Sequence, residues 1–281
     1  MARRAALVSD STSVDPQRAS ALGVTVVPLQ VVIGTASYDE GRGMSPQSVA
    51  TALRDRVPVS TSRPAPERFV RVYRQAAKDG AEAVLSIHLS GEVSGTVESA
   101  LLAARGVGIQ VVVVDSRQLG MGTGFAVAAA AAALDAGAAV EEAAEVARAR
   151  ATATHAFFYV ATLEYLRRGG RVGAAAALVG SALAVKPLLR IEEGRIVQHD
   201  RVRTSSRALA RLEEIAVAAA GDDPVDVAVS HLADPERAAA LADRLRPRLP
   251  ALRELVVTEV GAVLGAHAGP GMLGVVVAPH P

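Results

Sequence analysis

The chain has 281 residues, half of them hydrophobic, only 3% aromatic and none of them cysteine, which excludes disulfides, thiolate metal sites and cysteine nucleophiles. A formal charge of +1 argues against a nucleic-acid binder, because neutralising phosphates requires a concentrated basic face. The length allows a sizeable core split into two domains. The start, Met1-Ala2-Arg3-Arg4, lacks the apolar run of a signal peptide, and the most apolar segment, residues 125–134, is too short to cross a bilayer. A cytoplasmic protein with no integral membrane segment is therefore expected.

In chain order, residues 5–8 read as a short strand running into Asp10-Ser11-Thr12-Ser13. Residues 24–27 and 29–33 read as further strands, and residues 46–56 follow a helical pattern. Residues 83–87 form a strand that leads into the turn Gly91-Glu92-Val93-Ser94-Gly95-Thr96, and residues 97–105 continue as a helix. The β-branched run at residues 111–114 fits a strand buried on both faces. It ends at Asp115-Ser116, ahead of a long helix at 124–136. Strands alternating with helices predict a mostly parallel sheet, with ligands beyond the carboxyl ends of its strands.

The second half reads as a helix at 140–152, a strand at 157–160 and a short helix at 163–170 stopped by Gly169 and Gly170. A small-residue helix follows at 174–184. Strands at 188–191 and 196–200 flank the turn Glu192-Glu193-Gly194-Arg195, which implies antiparallel pairing. Helices at 204–220 and 235–246 alternate with strands at 225–230, 255–260 and 274–277. The expected fold class is α/β with two domains and a cleft between them. Residues 1–153 form the N-terminal domain, a mostly parallel sheet with flanking helices, and residues 154–281 form the C-terminal domain, a mixed or antiparallel sheet with helices.

The hydroxyl-rich turns carry the chemistry. Asp10-Ser11-Thr12-Ser13, Thr61-Ser62-Arg63-Pro64, Gly91–Thr96, Asp115-Ser116 and His267-Ala268-Gly269-Pro270-Gly271 are all bounded by glycine or proline or sit at strand ends. Hydroxyls and backbone N–H groups on such turns can converge on a small anionic head group. Gly120-Met121-Gly122-Thr123-Gly124 has the spacing of a tight strand–helix turn, not of a dinucleotide loop. Ser94 misses the hydrolase elbow spacing, yet a dispersed triad of Ser94, His267 and Asp10 stays open, since triads are defined by geometry. The six histidines are isolated from one another, so no metal site is expected. His267 stands out because Gly265, Gly269 and Gly271 allow close backbone approach around it. Arg167, Arg168 and Arg171 cluster around Gly169-Gly170, and Arg201, Arg203 and Arg207 form a second basic group; either is a solvated face or a docking patch.

Taken together and in order, several stretches resemble the DegV family of fatty-acid-binding proteins: Val8-Ser-Asp-Ser-Thr12, Thr61-Ser-Arg-Pro64, Leu89-Ser-Gly-Glu-Val-Ser-Gly-Thr96, Val114-Asp-Ser116, Thr162-Leu-Glu-Tyr-Leu-Arg-Arg-Gly-Gly-Arg-Val172, Val185-Lys-Pro-Leu188, Val202-Arg-Thr204 and His267-Ala-Gly-Pro-Gly271. The resemblance implies a two-domain α/β fold holding one long-chain fatty acid in a tunnel between the domains. It implies no catalytic residue and no cofactor, but a separate fatty acid kinase subunit that phosphorylates the bound carboxylate to an acyl phosphate. By the family pattern Thr61 and Ser94 bind the carboxylate, with Ser62, Gly95 and His267 supporting the head group. Arg167, Arg171 and Arg203 are the expected docking residues for the kinase. Two positions depart from the pattern: Arg63, where an uncharged residue is usual, and Glu92, where a small one is common. Both flank the expected head-group site, and the charge of Glu92 is expected to oppose anion binding. The competing expectation is a serine hydrolase or esterase using Ser94 and His267.

Overall fold

The computed structural model describes residues 3–173 and 186–280. The first half runs β1 (Ala5–Asp10), α1 (Pro16–Ala21), β2 (Val24–Val27), β3 (Gln30–Ile33), β4 (Ala36–Asp39), α2 (Pro46–Arg54), β5 (Val59–Ser62), α3 (Pro66–Lys78), β6 (Ala83–His88), α4 (Thr96–Ala104), β7 (Gln110–Asp115), α5 (Met121–Asp135) and α6 (Val140–Ala153). Local signals start several of these helices. Asp15 accepts from the N–H of Arg18 ahead of Pro16, and Ser45 from that of Ser48 ahead of Pro46, so a cap and a pre-set φ coincide at each N-terminus.

Strands β1, β2, β6 and β7 pair wholly in parallel, in the order β2-β1-β6-β7. β6 is buried at every position, as a central strand covered on both faces requires. Ala130 and Ala144 of α5 and α6 pack on one face of the sheet; Phe69 and Tyr73 of α3 pack on the other. The glycines before and within α5 serve this packing. A side chain on Gly124 would collide with the carbonyl of Ser13.

A separate antiparallel sheet, order β4-β3-β5, places Thr61 opposite Val31 and Ser62 opposite Gln30. Strands β4 and β5 and helix α3 differ from the sequence reading, which predicts a turn at 61–64 and assigns no element to 36–39 or 66–78. The two strands are four residues long and carry hydroxyls in place of an apolar run, so only their pairing with β3 makes them strands. In α3 the two core-facing aromatics, four residues apart, are outnumbered by charged neighbours.

The second half runs β8 (His155–Tyr159), α7 (Glu164–Arg168), β9 (Lys186–Glu192), β10 (Arg195–Val202), α8 (Ser205–Ala220), β11 (Val225–His231), α9 (Pro235–Leu245), β12 (Leu252–Glu259), α10 (Ala262–Ala268) and β13 (Leu273–Pro279). Its six strands order as β10-β9-β8-β13-β11-β12. Only β11 and β12 are parallel, so the sheet is mixed. The small-residue helix expected at 174–184 lies outside the described residues. Leu212 and Leu241 of α8 and α9 cover one face of the sheet. The other face meets the first half through Met121 and Phe125 of α5, which pack with Leu189, Ile191 and Val276. Helix α10 crosses over as well: Val263 and Ala266 pack with Leu29, Val31 and Val49. The architecture is the α/β class expected, one parallel sheet and one mixed sheet with helices. No helix among the described residues is long and apolar enough to cross a membrane.

Candidate functional site

Four segments from distant parts of the chain meet at one cavity of about 290 Å³. Strand β5 ends in Thr61 and Ser62, with Arg63 just after it; the β6–α4 turn supplies Ser94 and Gly95; the turn after α7 supplies Arg171; and α10 supplies His267. Thr61 and His267 share a hydrogen bond of 2.8 Å between Oγ1 and Nε2. The Ser94 hydroxyl pairs with that of Thr96 at 2.8 Å, just ahead of the first turn of α4. His267 lies in a helix, not on the glycine-bounded turn read from the sequence; Gly269, with φ of +79°, ends that helix directly after it.

Burial, and then the charge of Arg171, depress the His267 imidazole to about 4, so the ring is neutral at physiological pH. Its Nδ1 is buried without a hydrogen-bond partner among the described residues. A side chain on Gly169 would collide with that nitrogen, which gives Gly169 a steric role. Arg171 donates from Nε to the carbonyl of Val93 at 3.0 Å and from Nη1 to that of Gly169 at 2.6 Å. It thus fastens the double-glycine turn to the Ser94 turn and brings a guanidinium to the cavity wall.

A second, apolar cavity of about 90 Å³ adjoins the first and shares Leu119, Ile196, Leu264 and His267 with it. Phe157, Phe158 and Met272 also line it, and among the described residues no Asp, Glu, Lys or Arg borders it. The two cavities lie side by side between the parallel sheet and the mixed one, a chamber with polar groups on its wall and next to it an apolar channel.

The two departures flanking the chamber are both ion-paired. Arg63 lies flat over Gly95, at the chamber rim, and pairs with Glu98. Glu92 pairs with Arg195 at 2.7 Å. That cation offsets the repulsion expected of Glu92 toward an anion.

Of the five hydroxyl-rich turns, the structure brings three to this chamber and commits two elsewhere. Ser116 bonds to Thr123 at 2.8 Å, inside the strand–helix junction. Asp10 accepts from the backbone N–H of Leu89 at 2.9 Å, and its carboxylate faces His88 Nδ1 at 3.2 Å. His88 Nε2 in turn bonds to Ser86, and Ser86 to Tyr73. This Ser86–His88–Asp10 chain has the connectivity of a hydrolytic triad, but all three residues are 0% exposed, so no substrate reaches it. The triad kept open from the sequence, Ser94 with His267 and Asp10, is not assembled: each of the three hydrogen-bonds to a different partner. Ser94, the nucleophile of the hydrolase expectation, therefore has no hydrogen bond to His267, the base that expectation requires.

The proposed docking residues separate. Arg167 is exposed and shares Glu164 with Arg168. Arg203 is exposed on the segment between β10 and α8. Arg171 is partly buried at the chamber. Its position depends on a contact with Val93, 78 residues away, and no local signal in the sequence reports that. Among the described residues no group of acidic or histidine side chains could hold a metal ion.

Comparison with known proteins agrees with this architecture. A DegV family profile matches residues 4–280. A DegV domain-containing protein of Streptomyces coelicolor is 56% identical over 278 residues, covering 99% of each chain. The fatty-acid-binding DegV family protein of Thermus thermophilus superposes with a TM-score of 0.93 at 36% identity, covering 99% of this chain and 100% of its own. DegV of Bacillus subtilis, a fatty acid binding protein, gives 0.90 at 32% identity, covering 98% and 99%. This chain belongs to the DegV family.

Proposed function

We propose that this protein binds one long-chain fatty acid, with its carboxylate in the polar chamber and its alkyl chain in the apolar channel, and presents the head group to a separate kinase that forms an acyl phosphate. The observation that carries the reading is the junction itself. Hydroxyls of Thr61 and Ser94, a neutral imidazole and the guanidinium groups of Arg63 and Arg171 line a chamber that adjoins an apolar cavity. Each methylene withdrawn from water contributes about 0.8 kcal/mol, so a long acyl chain supplies roughly 10 kcal/mol of driving force. Its carboxylate must then be hydrogen-bonded, because leaving it bare costs several kcal/mol. Thr61 and Ser94 serve as the primary donors, with Ser62, the Gly95 turn and His267 in support. The Thermus and Bacillus relatives bind fatty acids, which supports the same ligand class here.

In this reading residues 1–153 and 154–281 act as two halves that clasp the acyl chain, and the protein works in the cytoplasm without a cofactor of its own. Kinase docking falls mainly to Arg203, which is exposed and outside every ion pair among the described residues. Arg167 is partly neutralised by Glu164, and Arg171 acts on the ligand side. The deciding experiment is mass spectrometry of lipid extracted from the purified protein, followed by titration of delipidated protein with palmitate. Co-purified fatty acid in stoichiometric amount supports the carrier; lipid-free protein that does not take up palmitate overturns it.

A further inference from the structure

Glu40 follows β4 and is 8% exposed. Its Oε2 accepts from the Ser11 hydroxyl at 2.6 Å, and its Oε1 accepts from the backbone N–H of Val263, in the first turn of α10, at 2.7 Å. The Ser11 oxygen itself accepts from the N–H of Leu29 at 3.0 Å. Gly261, just before α10, passes so close that a side chain there would collide with Oε1. One carboxylate thus joins the β1 loop, the start of β3 and the N-terminus of α10.

This arrangement is costly. Among the described residues no cation pairs with Glu40, and burial pushes its carboxyl up to about 7, with the charge of Asp10 adding to the effect. A buried acid held only by neutral donors contributes little to stability. What it does hold is the helix that supplies Val263, Leu264 and His267 to the head-group chamber. Val263 and His267 are four residues apart, on one face of α10, so a shift of the first turn carries the imidazole with it.

We propose that Glu40 is a positioning residue of the head-group site, which fixes α10 against the first half of the chain so that His267 meets Thr61. The inference rests on the fatty-acid reading for its affinity arm only. Full-length wild type, Glu40→Ala, Glu40→Gln and Gly261→Ala are compared by palmitate titration and by NMR titration of the His267 imidazole. Glu40→Ala and Gly261→Ala should each weaken palmitate about tenfold, the effect of losing one hydrogen bond to a charged group. They should also move the His267 titration up by about one pH unit or more, toward the free value. Glu40→Gln should resemble wild type in both, since its amide oxygen still accepts from Val263 and its NH₂ can donate to Ser11. If the alanine variants keep wild-type affinity and wild-type His267 titration, whatever their melting temperatures, the proposal is overturned. Should Glu40→Ala fail to fold, Gly261→Ala decides alone. Failure of wild type to bind palmitate would defeat the fatty-acid reading, while the imidazole titration would still decide the role of Glu40.

Discussion

Replacing Glu40 with Gln should make the protein more stable, and only at higher pH. The folded carboxyl titrates at about 7 in place of an ordinary 4.5. Between those values the folded chain holds a proton that the unfolded chain has released, so stability falls as pH rises through that window. Above 7 the whole penalty of burying the ionised group is present. At about 1.4 kcal/mol per pH unit, the displacement amounts to about 3 kcal/mol. Gln mimics the protonated acid in shape and keeps the bond from Val263, so it escapes the penalty. Urea unfolding of wild type and Glu40→Gln at pH 5, 6, 7 and 8 should therefore show a gap that is small at pH 5 and approaches about 3 kcal/mol at pH 8, with unchanged m-values. A gap that does not change with pH, or a variant less stable than wild type at pH 8, would refute the assignment of a buried, raised carboxyl. Gln should thus stabilise the fold and still position α10, whereas Ala loses the anchor.

Thr61→Ala and Ser94→Ala should each weaken fatty-acid binding by about 1–3 kcal/mol, as measured by calorimetric titration with folding intact; unchanged affinity in both would reject the carboxylate site. His267 behaves oppositely to Glu40. Its folded value lies near 4, below the ordinary 6.5, so the unfolded chain binds the extra proton and stability is lost as pH falls through that window. His267→Gln should flatten this limb of the urea profile between pH 6.5 and 4 and also lower head-group affinity; a purely structural histidine would leave affinity unchanged. Ala156 borders the apolar channel and is 7% exposed, so Ala156→Phe should shift the ligands toward shorter chains, because a packed wall yields only at about 1–3 kcal/mol of strain; mass spectrometry of the bound lipids would read the shift. Arg203→Glu should impair phosphorylation by the kinase while leaving palmitate binding intact, and wild-type coupling should weaken with added salt; equal rates at two ionic strengths would remove Arg203 from the docking surface.

The strands β1, β6 and β7 were legible from sequence because each is a continuous apolar run ended by a polar turn, a pattern that neighbouring residues determine among themselves. The hydroxyls of Thr61 and Ser94 were legible too, since their turns carry proline and glycine at characteristic places, and the order of such turns along the chain pointed to the family. Tertiary structure decided which turns meet. Asp10 and Ser116 sit on turns of the same composition, yet His88 and Thr123 claim their side chains within the first half. Strand β5 exists because β3 supplies its hydrogen bonds, and α10, seven residues long with a glycine inside, is held by Glu40 at one end and by packing on Leu29 and Val31. Such a helix is too short to be stable alone, so no local periodicity could announce it. Arg171 reads as one more surface cation until Val93 and Gly169, brought together by the fold, accept its hydrogen bonds. Hydrophobic patterning acts between near neighbours and selects the elements; the site depends on hydrogen bonds between residues as far apart as Glu40 and Val263, and those form only once both halves have packed.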